Sequence, residues 1–510
     1  MSARAANAQN RLRREVSTAN LAAIAAFATA AAVYVRTLLP GVSFGDWADA
    51  QLNPARLGIM HPTGYPLYVM LGKLFSMLPV ESVAYRANLL SAVAAAAVVG
   101  MVVLIAVRLG VRWVVAAGAA LCLAVTGTLW QEAAIAEMNG LHLLLVALLL
   151  HRALVWRVER RNRDLLLGAL IGGLCASNHG LAITVVPLVF LFVLVDARRE
   201  IARRPVLVAK AAGAFALGLL PYLYLPLRAI AGPPELYGRF LTWDGFVGLV
   251  TGAQFRSDMH FLSTDSVGTA LAAMPQVIGH LVAVSNIAFV VLAIIGIAIL
   301  LHRDHWFGFL LVVLGALNLY IYANYLGNLP HYLLTTWLIL AIGLAVGAEA
   351  VVRLVAGRAG ARAGWIQYGI FGLALALLVS NWATHDESSN RDGERFTAAV
   401  FAALPQDAVL LTYWDVLTAL SYKHCIEGVR PDVSLRAYDE QALVTCDPVE
   451  RPLTDVARRR PVFALMVLDG GLAATGLTPV PVATIRLPWG LRYPQLDRTL
   501  YRLVPADVSP

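Results

Sequence analysis

Apolar positions along this chain gather in runs of about 20 residues, recurring from Leu21 to Val379, a length that crosses a bilayer as a helix. Short polar connections separate them, predicting spans near 19–39, 84–107, 113–130, 138–155, 165–178, 180–196, 206–227, 278–301, 307–326, 331–352 and 365–382. Segments 165–178 and 180–196 are short for separate crossings and read as a tight hairpin or a broken pair. From residue 383 the pattern changes to charges, prolines and short apolar runs, which predicts a water-soluble domain over 383–510. There Phe396 to Leu404 and Val416 to Lys423 read as helices, Ala408 to Leu411 and Pro461 to Leu468 as strands, and Arg492 to Leu503 as a closing strand pair. The expected fold class is mainly α: a polytopic membrane protein of about eleven transmembrane helices over 19–382, with a small C-terminal α/β domain.

Composition agrees, with 59% hydrophobic and 14% charged residues, where soluble domains hold about a quarter charged. The net charge of +8 does not point to nucleic acid, because the basic residues cluster in connections between apolar runs. Such clusters mark cytoplasmic loops. Arg4, Arg11, Arg13 and Arg14 place segment 1–18 in the cytoplasm. Arg108 with Arg112, Arg157 to Arg163, Arg198 to Arg204, His302 to His305, and Arg353 to Arg362 share that side. Eleven spans starting inside end outside, so the expectation is a cell (inner, cytoplasmic) membrane protein with an extracytoplasmic C-terminal domain. The first run ends in Leu38-Leu39-Pro40 without a small-residue cleavage site, and reads as an uncleaved span. Cys122 and Cys175 lie in apolar spans; Cys425 and Cys446 lie in the soluble tail, where a disulfide and two free thiols are about equally expected.

This topology collects polar chemistry on the outer face, in loops 41–82 and 228–276 and in the turns at 130–139, 177–179 and 327–331. Asp46 and Asp49, three apart, share a face if their segment is helical. Acids beside a membrane usually mark a water-filled functional cavity. One could accept a proton from an attacking hydroxyl, or hold a divalent cation against a phosphate; the plainer role is helix capping. His61-Pro62-Thr63-Gly64-Tyr65-Pro66 forms a rigid turn before an interfacial or re-entrant helix, and His61 either binds a ligand or only bonds within the turn. Glu137 enters an apolar stretch and needs water or a partner such as Arg86, Arg228 or His179. Arg86 and Arg228, at outer span ends, suit a lipid phosphate or simple snorkelling to headgroups. Asn178-His179 interrupts a helical hairpin. There is no Walker motif, dinucleotide glycine pattern or zinc-ligand spacing, which disfavours nucleotide-driven pumping and nicotinamide chemistry.

Taken in order, several segments resemble a family of membrane glycosyltransferases that includes the animal transmembrane protein O-mannosyltransferase and its bacterial relatives. They are Phe44-Gly45-Asp46 with Asp49, His61 to Tyr68 with Gly72 to Phe75, Tyr85-Arg86-Ala87-Asn88-Leu89-Leu90-Ser91, and Trp130 with Ala136-Glu137. Ser177-Asn178-His179, Pro221 to Arg228 and Gly428 to Val433 complete the set. The chain departs from the family in having Ala48-Asp49 for Gly-Glu and Thr63 for a second proline. The resemblance implies a GT-C fold and transfer of mannose or another hexose from a polyprenyl-phosphate carrier to a protein or cell-envelope acceptor at the outer membrane face. It implies Asp46 as general base or acceptor-positioning acid, Asp49 and Glu137 as supporting acids, and His61, Tyr65, Arg86, His179 and Arg228 around the donor phosphate and substrate. No metal ligand is assigned, a divalent cation stays open, and the expected partners are the bilayer, the lipid-linked donor and the acceptor, without nucleic acid. The competing readings are a transporter or lipid flippase, which would place ionisable residues in the middle of several spans, and a non-catalytic envelope assembly protein.

Overall fold

The computed structural model describes residues 3–232, 235–237, 242–260, 263–325, 330–438, 442–444, 453–465, 477–486 and 498–505. Its helices are α1 (Ala3–Arg36), α2 (Gly45–Arg56), α3 (Pro66–Ser76), α4 (Val83–Arg108), α5 (Trp113–Ala124), α6 (Gly127–Ala134), α7 (Asn139–Glu159), α8 (Asn162–Asn178), α9 (Ala182–Asp196), α10 (Arg198–Ala202), α11 (Pro205–Gly218) and α12 (Tyr224–Ala231). They continue with α13 (Trp243–Thr251), α14 (Ser266–Ser285), α15 (Ile287–Arg303), α16 (His305–Ala323), α17 (Leu334–Ala359), α18 (Gly369–His385), α19 (Asp392–Ala403), α20 (Trp414–Cys425) and α21 (Leu453–Ala457). The strands are β1 (Glu235–Tyr237), β2 (Val409–Thr412), β3 (Ser434–Ala437), β4 (Ala442–Val444), β5 (Val462–Leu465), β6 (Leu477–Ile485) and β7 (Arg498–Pro505).

Among the described residues, eight helices are long and apolar enough to cross a membrane, or nine if bent α5–α6 is one span. The protein is an integral membrane protein, mainly α. Of the crossings expected from the sequence, α1, α4, α5–α6, α7, α11, α16, α17 and α18 meet that length and composition, α9 and α15 are apolar but shorter, and α8 does not meet it; two further corrections follow. The run 113–130 is not straight: α5 and α6 meet at 67°. The run 278–301 is not one helix, because Asn286 (φ 82°) ends α14 and its side chain caps α15 through Ala288 N–H at 2.9 Å. Asn tolerates that backbone region, and an unbroken apolar run does not reveal such a corner. Although α14 has the length of a span, Ser266 at its start accepts from Asn324 at the end of α16, and Val284 at its close accepts from Asn381 near the end of α18. Both neighbours lie at one end of the bundle, so α14 lies across that end.

The opposite end holds the basic clusters, which meet acids there: Arg112 and Arg353 with Glu349, Arg157 with Asp196 and Asp304, Arg160 with Asp196, and Arg108 with Glu159. Helices pack closely where side chains vanish. A methyl group on Gly296 of α15 would sit 1.8 Å from the carbonyl of Gly343 on α17, so glycine is what allows that contact.

The C-terminal region carries a five-stranded sheet in the order β3-β2-β5-β7-β6, with β2 parallel to β3 and β5, and β7 antiparallel to β5 and β6. Helices α19 and α20 match the sequence reading, while β6 was not anticipated. Positions 466–468 and 492–497 lie outside the described residues. Cys425 is disulfide-bonded, Cys122 and Cys175 are free, and Cys446 lies outside the described residues. Strand β1, from loop 228–276, pairs antiparallel with β4 of the tail.

A buried amide network fixes the first loop against the bundle. Asn88 on α4 donates to Leu39 O (2.7 Å) and accepts from Gln51 Nε2 (2.9 Å) and Ala136 N–H (2.8 Å); Gln51 Oε1 accepts from Ser43 N–H (2.9 Å). Asn88→Leu keeps the branched skeleton, with bulkier methyl groups, and deletes these partners. We expect about 1–3 kcal/mol lost for each orphaned buried group, read as a lower unfolding midpoint in detergent; an unchanged midpoint would show that the network does not secure the loop.

Candidate active site

Helix α2 sets the geometry. Gly45 enters it at φ 55°, a conformation glycine adopts at little cost. Asp46, Asp49 and Asn53 then fall at i, i+3 and i+7, on one face. Asp49 is fully buried. Its Oδ2 accepts from the backbone N–H of His61 at 3.1 Å and contacts His61 Nδ1 at 2.7 Å, and its Oδ1 takes a short hydrogen bond from Asn53 Nδ2. With Nδ1 held by Asp49, His61 turns Nε2 toward Asp46, whose Oδ2 lies 3.9 Å away.

The electrostatics follow from burial and these two acids. Burial disfavours a charged His61, but Asp46 and Asp49 together outweigh it and hold the imidazole above its ordinary range. Burial raises Asp49 too, and its bonds to His61 offset only part of that.

Asp46 is different: 56% of its side chain is exposed, and its Oδ1 accepts from Trp414 Nε1 at 2.7 Å. Trp414 opens α20, and its ring meets His61 edge-on at 5.9 Å. Sequence reasoning missed this residue, which lies 368 positions from Asp46; no local pattern distinguishes it from a packing tryptophan. It is positioned by an apolar core shared between α2 and the tail, with Phe44, Ala48 and Leu52 packed among Phe396, Val400, Val416 and Leu420. Tyr422 Oη accepts from Ala84 N–H at 2.8 Å, and Glu394 joins Lys423 (2.6 Å) to Val42 N–H (3.3 Å).

Tyr65 sits at φ 42° before α3. Its hydroxyl donates to Pro62 O at 3.0 Å, while its ring packs on His61 (5.1 Å) and His179 (5.5 Å). His179 accepts from Leu181 N–H on Nδ1 at 3.1 Å, and burial, then His142, His331 and His61, push it well below the ordinary imidazole range. A neutral ring with Nδ1 accepting carries its proton on Nε2, which makes that atom a donor.

Glu137 takes none of the three partners expected for it. Asn139 Nδ2 donates to it at 3.2 Å and to Glu132 at 3.0 Å, and the Trp47 side chain hydrogen-bonds it as well. Neutral donors suffice because burial, then Glu132 and Asp46, push this carboxyl above the ordinary range. His331 adds a contact to Glu132 at 3.9 Å. Glu132, on α6, and His331, just before α17, are further members of the group.

The two arginines part company. Arg228 donates Nε to Leu57 O at 2.6 Å while Tyr224 donates to Gly58 O at 2.7 Å, so α12 braces the chain leading into His61. Arg86 is not brought to the Asp46 group. It donates to Ser76 O (2.7 Å), Val80 O (2.5 Å) and Glu81 O (2.7 Å). These carbonyls lie just past α3, where a helix leaves acceptors unpaired. Among the described residues, no three His, Cys, Asp or Glu side chains are grouped to hold a metal ion.

Asp49→Asn removes one of the two charges that oppose burial at His61, leaving Asp46. We expect the His61 pKa to fall, measured by NMR titration of labelled histidine. Because the folded-state value is raised in the native chain, stability from a protonated His61 is present below about pH 6.5 and lost as pH rises through the raised value. The variant should lose part of that dependence, the part that Asp46 does not supply. An unmoved His61 titration would refute the coupling.

Residues 49–202 match a family model described as the N-terminal domain of protein O-mannosyl-transferase TMEM260. The segment includes Asp49, His61, Tyr65, Arg86, Glu137 and His179; Asp46, Arg228 and Trp414 lie outside it. The chain is 27% identical over 441 residues to the protein O-mannosyl-transferase TMEM260 of Mus musculus, covering 81% of this chain and 62% of that protein. It is 23% identical over 464 residues to that of Dictyostelium discoideum, covering 80% and 56%. The chain therefore spans less than two thirds of the length of these relatives. Among solved structures it is similar to ArnT from Cupriavidus metallidurans bound to undecaprenyl phosphate, with a TM-score of 0.61, 14% identity, and coverage of 99% of this chain and 100% of that one. ArnT in the apo state gives the same TM-score at 13% identity.

Proposed function

We propose that the chain is a GT-C membrane glycosyltransferase that transfers mannose or another hexose from a polyprenyl-phosphate carrier to a hydroxyl of a protein or cell-envelope acceptor. One observation carries this reading: an exposed carboxylate, Asp46, is fixed by Trp414 on one side and faces a His61 imidazole that Asp49 orients. The similar TMEM260 proteins are named protein O-mannosyl-transferases, and the ArnT structure of this fold holds undecaprenyl phosphate. Both names favour a lipid-linked donor and a protein acceptor here.

In this reading the acceptor oxygen bonds to the sugar C1 as the bond from C1 to the phosphate oxygen breaks. Asp46 takes the hydroxyl proton, and the polyprenyl phosphate leaves with the negative charge. His61, whose two acids favour its protonated form, neutralises that charge. His179 offers a neutral N–H donor, Tyr65 walls the two imidazoles, and Arg228 braces the approach to His61. Asp49 orients His61, and Glu137 lines the floor beside Asp46. Arg86 is assigned a structural part, tying down the turn after α3. With the site end outward and the basic end in the cytoplasm, as the arginine clusters favour, the donor enters laterally from the bilayer and the acceptor from outside.

A transporter is less well supported, because the ion pairs gather at the basic end and the acids and imidazoles of the site at the other, rather than along a path between them.

The test is transfer of labelled sugar from a polyprenyl-phosphate donor in proteoliposomes. Asp46→Asn is expected to lower turnover by roughly 10²–10⁴-fold, the usual contribution of a positioned base, and Trp414→Phe by about tenfold. Equal activity of Asp46→Asn and native protein would remove Asp46 from the mechanism. The donor KM should rise as pH climbs through the raised His61 value, and His61→Gln should flatten that limb; a limb unchanged in the variant would assign the phosphate to another group.

A further inference from the structure

The connection from α16 to α17 carries three ring side chains that the transfer step leaves without a role. Tyr325 and Tyr332 meet edge-to-face at 5.0 Å, and Tyr332 meets the His331 ring at 4.7 Å. The two phenol side chains hydrogen-bond each other, and all three residues are half-buried. Contacts through α6 tie them to the site. His331 Nδ1 lies 3.9 Å from Glu132, and Asn139 Nδ2 joins Glu132 (3.0 Å) to Glu137 (3.2 Å). Trp47, the neighbour of Asp46 in α2, hydrogen-bonds Glu137 in turn. The charge of Asp46 acts on Tyr325, His331 and Tyr332 alike, while His61 acts on His331 and Glu137 on Tyr332. The three rings thus border the space between Asp46 and His61.

Their backbone is fixed from two sides. Asn318 donates to Tyr332 O at 2.7 Å and accepts from Thr336 N–H (3.1 Å) and Oγ1 (2.8 Å). Tyr325 forms an antiparallel bridge with Met259, next to His260, whose N–H donates to Asn324 O at 2.9 Å. Groups held this way are pre-organised for a ligand of defined shape.

We propose that Tyr325, His331 and Tyr332 form the subsite for the hexose ring of the lipid-linked donor, an inference that rests on the transfer reading. A sugar whose phosphate sits at His61 and whose C1 is attacked beside Asp46 must lie between those two groups. The chemistry there suits a neutral hexose. A phenol presents an apolar face to ring C–H groups and a polar tip to hydroxyls, and His331 offers Nε2 to another hydroxyl. None of the three is an arginine or lysine, the side chains that grip phosphate, so the sugar and not the phosphate belongs against them. A site that hydrogen-bonds a hydroxyl discriminates against a ligand that misplaces it.

The test is binding, without acceptor, of polyprenyl-phosphate mannose, polyprenyl-phosphate glucose and bare polyprenyl phosphate to the full chain in nanodiscs. The native chain should favour one hexosyl lipid over its epimer by about tenfold. Tyr332→Phe and His331→Gln should each weaken the favoured lipid by about tenfold, the loss of a hydrogen bond, and leave bare polyprenyl phosphate bound as before. Equal affinity of the native chain for the two epimers overturns the proposal, as do variants that bind the favoured lipid like the native chain. An equal loss for the bare lipid would mark a structural or phosphate-binding role and overturn it too. Variants with unaltered lipid binding but a raised acceptor KM would assign the three rings to the acceptor, again against the proposal. The expected binding pattern in a chain that transfers neither sugar would uphold the subsite and overturn the transfer reading alone. Should His331→Gln fail to fold, Tyr332→Phe, which keeps the ring, decides.

Discussion

The site depends on one buried contact, the bond from His61 Nδ1 to Asp49 Oδ2. Two low-dielectric penalties meet there, since burial disfavours both the carboxylate and the imidazolium. Each stays tolerable only because the other is present and because Asn53 and the His61 backbone N–H supply further donors. The contact also decides which imidazole nitrogen is left over. Nε2 can face Asp46 only while Nδ1 is engaged, so an acid that itself touches no solvent sets the chemistry of one that does.

Around this pair the protein uses its most ordinary forces. The α2 helix is wedged between the bundle and the tail, sealed to the tail by Phe44 and Leu52 and to the bundle by the Gln51–Asn88 amides. The tail is therefore part of the site's construction, since it delivers Trp414 to Asp46. The short pairing of β1 with β4 makes a second join between loop 228–276 and the tail. Rigid elements on both sides of the segment that carries the acids are what a pre-organised site requires.

The two ends of the bundle follow one rule with opposite results. Charges are costly in hydrocarbon and collect where water or a partner relieves them. At the basic end they form ion pairs that lock helix termini together, as Arg157 does with Asp196 and Asp304. At the other end, Glu137 and His179 are held by neutral donors and aromatic faces instead, which leaves their protonation sensitive to whatever enters.

Much of this was legible in the chain itself. A bilayer demands long apolar helices, so the approximate limits of most of them are written in composition; the cost of burying arginine places the basic clusters together. The concentration of acids and imidazoles in loop 41–82 and the turns could likewise be read directly, as could the face Asp46 and Asp49 would share in a helix, which α2 supplies. What the linear pattern did not hold was every long-range pairing. It could not say that Arg86 would spend its donors on the turn after α3, that Asn286 would break an apolar run into a corner, or that Trp414 would reach Asp46. Local spacing encodes periodicity and solubility, whereas a hydrogen bond between residues hundreds of positions apart exists only once packing has removed the alternatives.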